Sequence, residues 1–272
     1  MKQQQMFDLY SDYLLASFGA TTATGLRQVR EGEISHAQVS RHWSGKQQTG
    51  ADLWRTVNPF VRQVQSAAGV LIIDDASEEK PYTDENDLVC WHSDHAKAAL
   101  VKGINFLTAL SASPGVSLPV GLHLVAKTEK YLAPKTQKER RRSPVSKNEL
   151  CRELSNQAGA THIPFRFVVF ETWCASAETL VFIKRAQPRD FVCPVKPNRK
   201  VALSLADTQQ GRYLRVDTLV REEHTPREVY LAGVDFPRVL VKQVFTHEDG
   251  SCGILSLVSS ATTRSFADLT TT

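Results

Sequence analysis

The sequence predicts an α/β protein built around a mixed β-sheet with flanking helices. Two short runs rich in Val, Ile and Phe, at 69–77 and 165–171, end in carboxylates and are typical of buried strands. A helical pattern over 176–185 and a strand pattern over 191–195 follow the second run. The order strand, helix, strand favours a parallel crossover in that part of the sheet.

Composition places the chain among ordinary globular proteins, with 272 residues, 42% hydrophobic and 23% charged. The formal charge of +4 is too small to identify a partner. Apolar runs fall short of the roughly 20 residues of a membrane span, and the N-terminus lacks a signal-peptide core. We therefore expect a cytoplasmic protein with no membrane association.

Cysteine spacing gives no disulfide framework or zinc motif. The set is odd, scattered and without a Cys-x-x-Cys pair: Cys90, Cys151, Cys174, Cys193 and Cys252. Buried thiols in a reducing cytoplasm are the expectation. His92 and His95 lack further ligands at zinc spacing, so we expect hydrogen bonding at a strand end there.

The first region, 1–67, reads as a helical domain. Helical patterns over 22–30 and 36–43 are joined by a glycine-containing break, and Ser35 is a candidate N-cap for the second. This order is typical of a helix-turn-helix, which would present Gln38 and Arg41 to DNA. Two packing helices with a solvated face remain the alternative.

A further helical stripe precedes a domain boundary placed near 67–69. Its apolar members are Leu53, Trp54, Val57, Val61 and Val64. Pro59 lies inside the stripe and predicts a kink or a restart.

The second region, 68–199, contains the two carboxylate-ended strands. Strand patterns at 88–91, 103–110 and 119–125 suggest an antiparallel meander leaving the first strand. The polar run 135–147 predicts a mobile loop. Ser146 and Glu149 then match a capping box that opens a helix with Leu150 and Leu154 on its buried face.

The third region, 200–259, is rich in short strands. Patterns at 213–216, 228–231, 239–245 and 254–258 are separated by turn residues, and 248–251 predicts a hairpin turn. We interpret this region as a β-rich insertion, and 260–272 as the start of another segment.

The carboxylates carry the chemistry. Adjacent strands would deliver Asp74 or Asp75 and Glu171 to one sheet edge, where oxygen ligands suit hard divalent cations such as Mg²⁺. Alternation along the strand puts Asp74 and Asp75 on opposite faces, so only one is expected in the site. We prefer Asp74 because it directly follows the apolar run.

Several motifs in order resemble the core of DDE transposases from bacterial insertion sequences. They are Leu-Ile-Ile-Asp-Asp-Ala-Ser at 71–77, Val-Lys-Gly-Ile-Asn-Phe-Leu-Thr-Ala-Leu at 101–110, Leu-Pro-Val at 118–120, Glu-Thr-Trp-Cys-Ala-Ser-Ala-Glu at 171–178 and Lys-Pro-Asn-Arg-Lys-Val-Ala-Leu at 196–203. The resemblance runs over nearly the whole chain. It implies an RNase H-like core in which three acids bind two Mg²⁺ ions for DNA strand cleavage and transfer.

By this resemblance Asp74 is the first acid, with Asp75 as its competitor, and Glu171 is the second. Relatives have Asp where this chain has Glu171, and their third acid lies on a Tyr–Arg–Glu helix beyond the segment that matches 266–272. We therefore expect a C-terminally truncated, catalytically impaired transposase. The alternatives are a non-catalytic DNA-binding regulator of transposition and a decayed fragment.

The implied partners are DNA, specifically insertion-sequence terminal repeats, and a second copy of the chain in a homodimer. Location at the bacterial nucleoid would follow. Two basic clusters are candidate DNA contacts: Lys138, Arg140, Arg141 and Arg142 in the polar run, and Asn198, Arg199 and Lys200 in the last of the motifs. For the first cluster, a bare solvated loop is an equally weighted alternative.

Overall fold

The fold was determined from a computed structural model that describes residues 3–19, 21–45, 49–94, 97, 99–134, 136–246 and 248–262. Two compact units divide the chain, Met1–Asp52 and Leu53–Thr272. Across the described residues, no helix combines the length and apolarity that a membrane crossing requires.

The first unit is helical, as predicted. Its helices are α1 (Gln3–Ala16), α2 (Ala23–Val29) and α3 (His36–Ser44). Ser35 caps α3 through a capping box in which its hydroxyl accepts from the Gln38 N–H. A small core closes this unit, and its fully buried members are Met6, Leu26, Ile34 and Val39.

The next helix, α4 (Gly50–Val64), contains Pro59 without ending there. Its stripe packs on the core of the larger unit through Trp54, Val57 and Val61. The compact units therefore divide at 52/53, whereas the sequence pattern placed a boundary near 67. The difference arises because an amphipathic helix belongs to the core that covers its apolar face.

The other strands and α-helices of the described residues follow in chain order. They are β1 (Val70–Glu79), β2 (Val89–Asp94), β3 (Ala99–Ser113), β4 (Val116–Leu124), β5 (Glu129–Leu132), β6 (Glu139–Arg142), α5 (Lys147–Ala160), β7 (Phe167–Phe170), α6 (Ala177–Val181), β8 (Asp190–Pro194), β9 (Lys200–Ala202), α7 (Leu205–Gln209), β10 (Leu214–Arg215), β11 (Arg227–Leu231), β12 (Arg238–Thr246) and β13 (Cys252–Ser259).

A mixed sheet forms the centre of the larger unit. Within the described residues it has eleven strands in the order β10-β9-β11-β12-β13-β8-β7-β1-β3-β2, and β4 also pairs with β3. Strands β1, β7 and β8 run parallel, which confirms the predicted crossover through α6. The α/β class and the mixed sheet are therefore confirmed.

The predicted meander after β1 is wrong in its strand order. Strand β3 is fifteen residues long and pairs along one edge with β1. Two strands pair one after the other along its other edge: β2 pairs with residues 99–104 and β4 with residues 106–113. A meander of short strands was expected because the pattern in the sequence marked only the middle of β3.

Helix α5 covers this sheet and begins at the predicted capping box of Ser146 and Glu149. Leu150 and Leu154 lie on its buried face, as expected. Gly121 on β4 permits the close approach, because a Cβ there would lie 2.7 Å from Leu154 Cδ2. Burial of a leucine side chain contributes about 1.5–3 kcal/mol, so this contact fixes α5 over the sheet.

The polar run that was expected to be a loop contains half of an antiparallel hairpin, β5–β6. Glu129 faces Arg142 across the hairpin, with their side chains 2.8 Å apart, and Lys130 pairs with Glu139 at 2.9 Å. Opposite charges on facing strands stabilise such pairs, which is why a segment too polar for a core still forms strands.

The strand-rich 200–259 region continues the same sheet. Strand β13 pairs with β8, and the predicted hairpin of β12 with β13 is confirmed. Val201, Val229 and Leu240 belong to the same buried cluster as Leu71 of β1. This region and the strands before it therefore share one hydrophobic core.

Cysteine pairing differs from the expectation of free thiols. Cys151 on α5 and Cys174, just after β7, form a disulfide. Cys90 and Cys193 are free and buried, whereas Cys252 is free and exposed. The packing of α5 against the short helical turn Thr172–Cys174 brings together two cysteines whose spacing in the chain carries no motif.

Candidate functional site

Three carboxylates meet where β1 and β7 stop pairing with each other. Ile73 and Phe170 are the last paired residues of β1 and β7, so Asp74 and Glu171 come next at the same sheet edge. Carboxylate oxygens of Asp74, Asp75 and Glu171 lie within 4.8 Å of one another. In the described part of the chain, this is the one group of three or more His, Cys, Asp or Glu side chains that satisfies this distance criterion.

Asp75 does not point away from the group, contrary to the expectation from strand alternation. Its Oδ2 accepts a hydrogen bond of 2.9 Å from Asn105 Nδ2 and forms an ion pair with Lys147 Nζ. The Asp74 Oδ1 folds back to accept from the Asp75 N–H at 2.7 Å. Oxygens of these short side chains thus come close together even though their Cβ atoms alternate along β1.

Asn105 and Lys147 are the residues that sequence reasoning missed. Asn105 is fully buried on β3, and its Nδ2 also donates to Ala76 O and Ser77 Oγ at 3.0 Å each. A polar residue at a buried position of an alternating strand is the signal that could have identified Asn105. For Lys147 the local sequence gives no signal, because the position of α5 over the sheet is set by tertiary packing.

Lys147 connects Asp75 with the segment that follows Glu171. Its ammonium lies 5.6 Å from the centre of the Trp173 ring, a cation–π distance. The neighbouring Asn148 Nδ2 donates to Trp173 O at 3.1 Å. The start of α5 therefore holds both sides of the carboxylate group in a fixed relation.

The donor chemistry of the group fits a hard divalent cation, which prefers carboxylate oxygens. Asp74 and Glu171 are exposed, so a cation and a substrate phosphate can reach them. Lys147 opposes such binding at Asp75, because its ammonium is already paired with that carboxylate. Oxygens of all three carboxylates lie close enough together that they could hold a metal.

A basic cavity of about 460 Å³ adjoins the group and is called here the basic pocket. One wall is Thr172 and Trp173, directly after Glu171. The opposite wall is the turn at 196–200, with the predicted residues Asn198, Arg199 and Lys200. The structure therefore brings these three candidates to the neighbourhood of the second acid.

Backbone hydrogen bonds fix the turn of the basic pocket. The Arg199 N–H donates to Lys196 O at 2.9 Å around Pro197, which pre-sets the backbone angle of a tight turn. The Val216 N–H donates to Arg199 O at 3.0 Å. The side chains of the turn therefore project from a rigid frame.

The other basic cluster lines a second cavity, of about 530 Å³, beside the β5–β6 hairpin. Lys138, Arg140 and Arg141 lie there with the aromatic rings of Trp91 and Tyr131. Two hairpin arginines form ion pairs with nearby carboxylates: Arg141 with Asp87 and with Glu85, and Arg142 with Glu129. Acidic partners therefore neutralise much of this charge run.

The candidate DNA contacts of the first unit lie on α3 and are exposed. The Gln38 Oε1 accepts from the Ser35 N–H at 2.8 Å, so this oxygen serves the capping box. Arg41 Nε donates to Ala37 O at 3.2 Å. These contacts leave the Arg41 side chain on the surface of its own helix.

His92 is buried on β2, with its Nε2 3.5 Å from Cys90 Sγ. The pKa of His92 is lowered to about 4, chiefly by burial and also by the charges of Lys127 and Lys147, whereas Asp75 and a backbone hydrogen bond with Gly103 oppose the shift. His95 lies outside the described residues. A neutral, buried imidazole in contact with a thiol fits the expected hydrogen-bonding role.

Comparison with known proteins gives one family. The family model described as DDE superfamily endonuclease matches residues 2–228, which is most of the chain. The match includes Asp74, Asp75, Glu171 and the turn at 196–200. A search of curated proteins found no match.

Proposed function

The chain belongs to the DDE superfamily endonucleases, and from this premise we propose that it binds DNA at the ends of a bacterial insertion sequence and cleaves it slowly in a metal-dependent reaction. The observation that carries the proposal is the carboxylate group of Asp74, Asp75 and Glu171, at the point where β1 and β7 stop pairing with each other. A homodimer that holds two DNA ends is part of the same proposal.

Asp74 and Glu171 would hold the metal through their carboxylate oxygens, and Mg²⁺ is the ion proposed. When bound, divalent cations at a phosphodiester activate the attacking oxygen and stabilise the leaving oxygen. The chain's own contribution is to hold the carboxylates rigidly. Asn105 and Lys147 do this for Asp75 by hydrogen bonding and charge.

Two features support a reduced rate. Glu171 stands where the resemblance gives Asp, and the added methylene moves the carboxylate by more than the roughly 0.5 Å that productive sites tolerate. Lys147 pairs with Asp75 and so competes with a cation for that carboxylate. Both features act on metal geometry and leave DNA binding unaffected.

The test measures metal binding and nicking separately in the full chain. Mg²⁺ or Mn²⁺ should raise the melting temperature of the wild type, and Asp74→Asn should abolish this shift. Nicking of supercoiled plasmid that carries the two ends of the encoding element should be slow in wild type, absent in D74N and at least about tenfold faster in E171D. A D74N protein that nicks as wild type does would refute the proposal.

A non-catalytic regulator of transposition is the second candidate, and the ion pair of Lys147 with Asp75 favours it. A regulator would bind the same DNA ends with strong salt dependence and compete with an active enzyme. In that case E171D and a Lys147→Gln variant would bind DNA and still show no metal-dependent nicking. Any nicking by K147Q would favour the enzyme.

A further inference from the structure

The side chains that line the basic pocket carry a net positive charge, which favours an anion over a neutral ligand. Lys196, Arg199 and Lys200 line it, and no carboxylate residue does so among the described residues. Three cations around one cavity repel one another. An anion inside would relieve that repulsion and would accept hydrogen bonds from the same side chains.

Two buried hydrogen-bond donors on residues that line the pocket also favour an anionic ligand. Arg199 Nε and Trp173 Nε1 are buried and have no hydrogen-bond partner among the described residues. Leaving such a group without a partner costs about 1–3 kcal/mol. The residues around the pocket therefore leave these donors incompletely satisfied.

We propose that the basic pocket binds a backbone phosphate of the DNA strand, with Arg199 as its main contact. This inference rests on the proposed function, because it names where the bound strand is held next to Glu171. The phosphate compensates the charge of Arg199 directly.

The first experiment uses inorganic phosphate as the probe, with EDTA present and ionic strength kept constant with chloride. Phosphate should cause a saturable change in tryptophan fluorescence that Trp173→Phe removes. Arg199→Gln should raise the half-saturation concentration about tenfold, the effect expected for one charge-assisted hydrogen bond. The matched control is Arg212→Gln, an exposed arginine paired with Asp207 outside the pocket, which should bind as wild type does. A response that R199Q leaves unchanged would overturn the proposal.

A DNA-binding experiment distinguishes this inference from the proposed function. The R199Q/K200Q double variant should bind duplex DNA about tenfold more weakly, with a salt slope smaller by about 2, since each phosphate that a cation neutralises contributes about 0.9. Phosphate binding without DNA binding by the wild type would refute the proposed function and keep the pocket. Equal DNA binding by wild type and the double variant would refute the inference and keep the function.

Discussion

The β5–β6 hairpin and the turn at 196–200 are both basic, yet they differ in how much of their charge is available. The hairpin carries the densest run of arginines in the chain, and acidic neighbours pair with two of them. The turn has fewer cations, but no carboxylate residue lines its cavity among the described residues.

This difference shows that the local density of basic residues does not measure the positive potential offered to a ligand. The ion pairs between the hairpin arginines and nearby carboxylates contribute little to the stability of the fold, since exposed ion pairs are weak. Their effect is to reduce the charge that DNA would meet. The turn contributes more potential because no carboxylate residue among those described lines its cavity.

The largest expected effect concerns the wall of the basic pocket. The Cys151–Cys174 disulfide ties this wall to α5 and closes a loop between cysteines 23 residues apart. Reduction should lower the free energy of unfolding by about 3 kcal/mol, chiefly because the unfolded chain gains freedom. Urea unfolding with and without dithiothreitol measures this difference.

The control is C151A/C174A, whose unfolding should be insensitive to the reductant. Exposed Cys252 offers a second check, because C252A should keep the wild-type difference. Identical unfolding of the oxidised and reduced wild type would show that the pocket wall is held by packing alone.

The second-largest expected effect tests the hairpin side of the comparison and concerns His92. The pKa of His92 is lowered mainly by burial and also by Lys127, which lines the cavity beside the hairpin. The pKa of His92 is about 4 in the folded protein against 6.5 as its ordinary value, so the unfolded state binds more protons between these limits. Stability should therefore fall as pH drops below about 6.5, by about 2 kcal/mol between pH 7 and pH 5 from this group. Besides Lys127, the charged groups that act on His92 are Lys147 and Asp75.

Denaturant unfolding at the two pH values, compared between wild type and His92→Gln, isolates this contribution. The variant should show a flatter dependence on pH. A His92 imidazole that titrates near its ordinary pKa in an NMR experiment would contradict the burial of its ring beside these lysines.

The smallest expected effect tests whether acidic partners reduce the charge that the β5–β6 hairpin offers to DNA. The double variant E85Q/D87N removes the two acidic partners of Arg141 and should make the hairpin more available to DNA. We expect about threefold tighter DNA binding, with a steeper dependence on salt, as one further phosphate contact requires. Fluorescence anisotropy over a salt series measures both quantities, and R141Q in the same background should cancel the gain. Unchanged binding would mean that the hairpin does not meet DNA.

Local patterns predicted most elements of the fold. The capping boxes at Ser35 and Ser146, the parallel crossover and the β12–β13 hairpin all depend on residues close in sequence. The tandem pairing along β3 depends on contacts between distant segments, which a local pattern does not contain. The Cys151–Cys174 disulfide was missed for the same reason.

As with the fold, the sequence predicted part of the candidate site and missed the residues that depend on tertiary packing. Asp74 and Glu171 were expected together because parallel strands end at one edge, and their oxygens do lie within reach. Strand alternation predicted that only one of Asp74 and Asp75 would lie in the site, with Asp74 preferred, whereas oxygens of both lie in the group. Lys147 and Asn105 were missed because they reach Asp75 through tertiary packing.

Strand β8 has neighbours from distant parts of the larger unit's sequence. Its parallel partner β7 precedes it closely, whereas its antiparallel partner β13 follows it by about sixty residues. On the ribosome, β1 and β7 can pair early, but one edge of β8 stays open until β13 has emerged. The high contact order of this pairing slows folding and leaves a template for association of nascent chains during that interval.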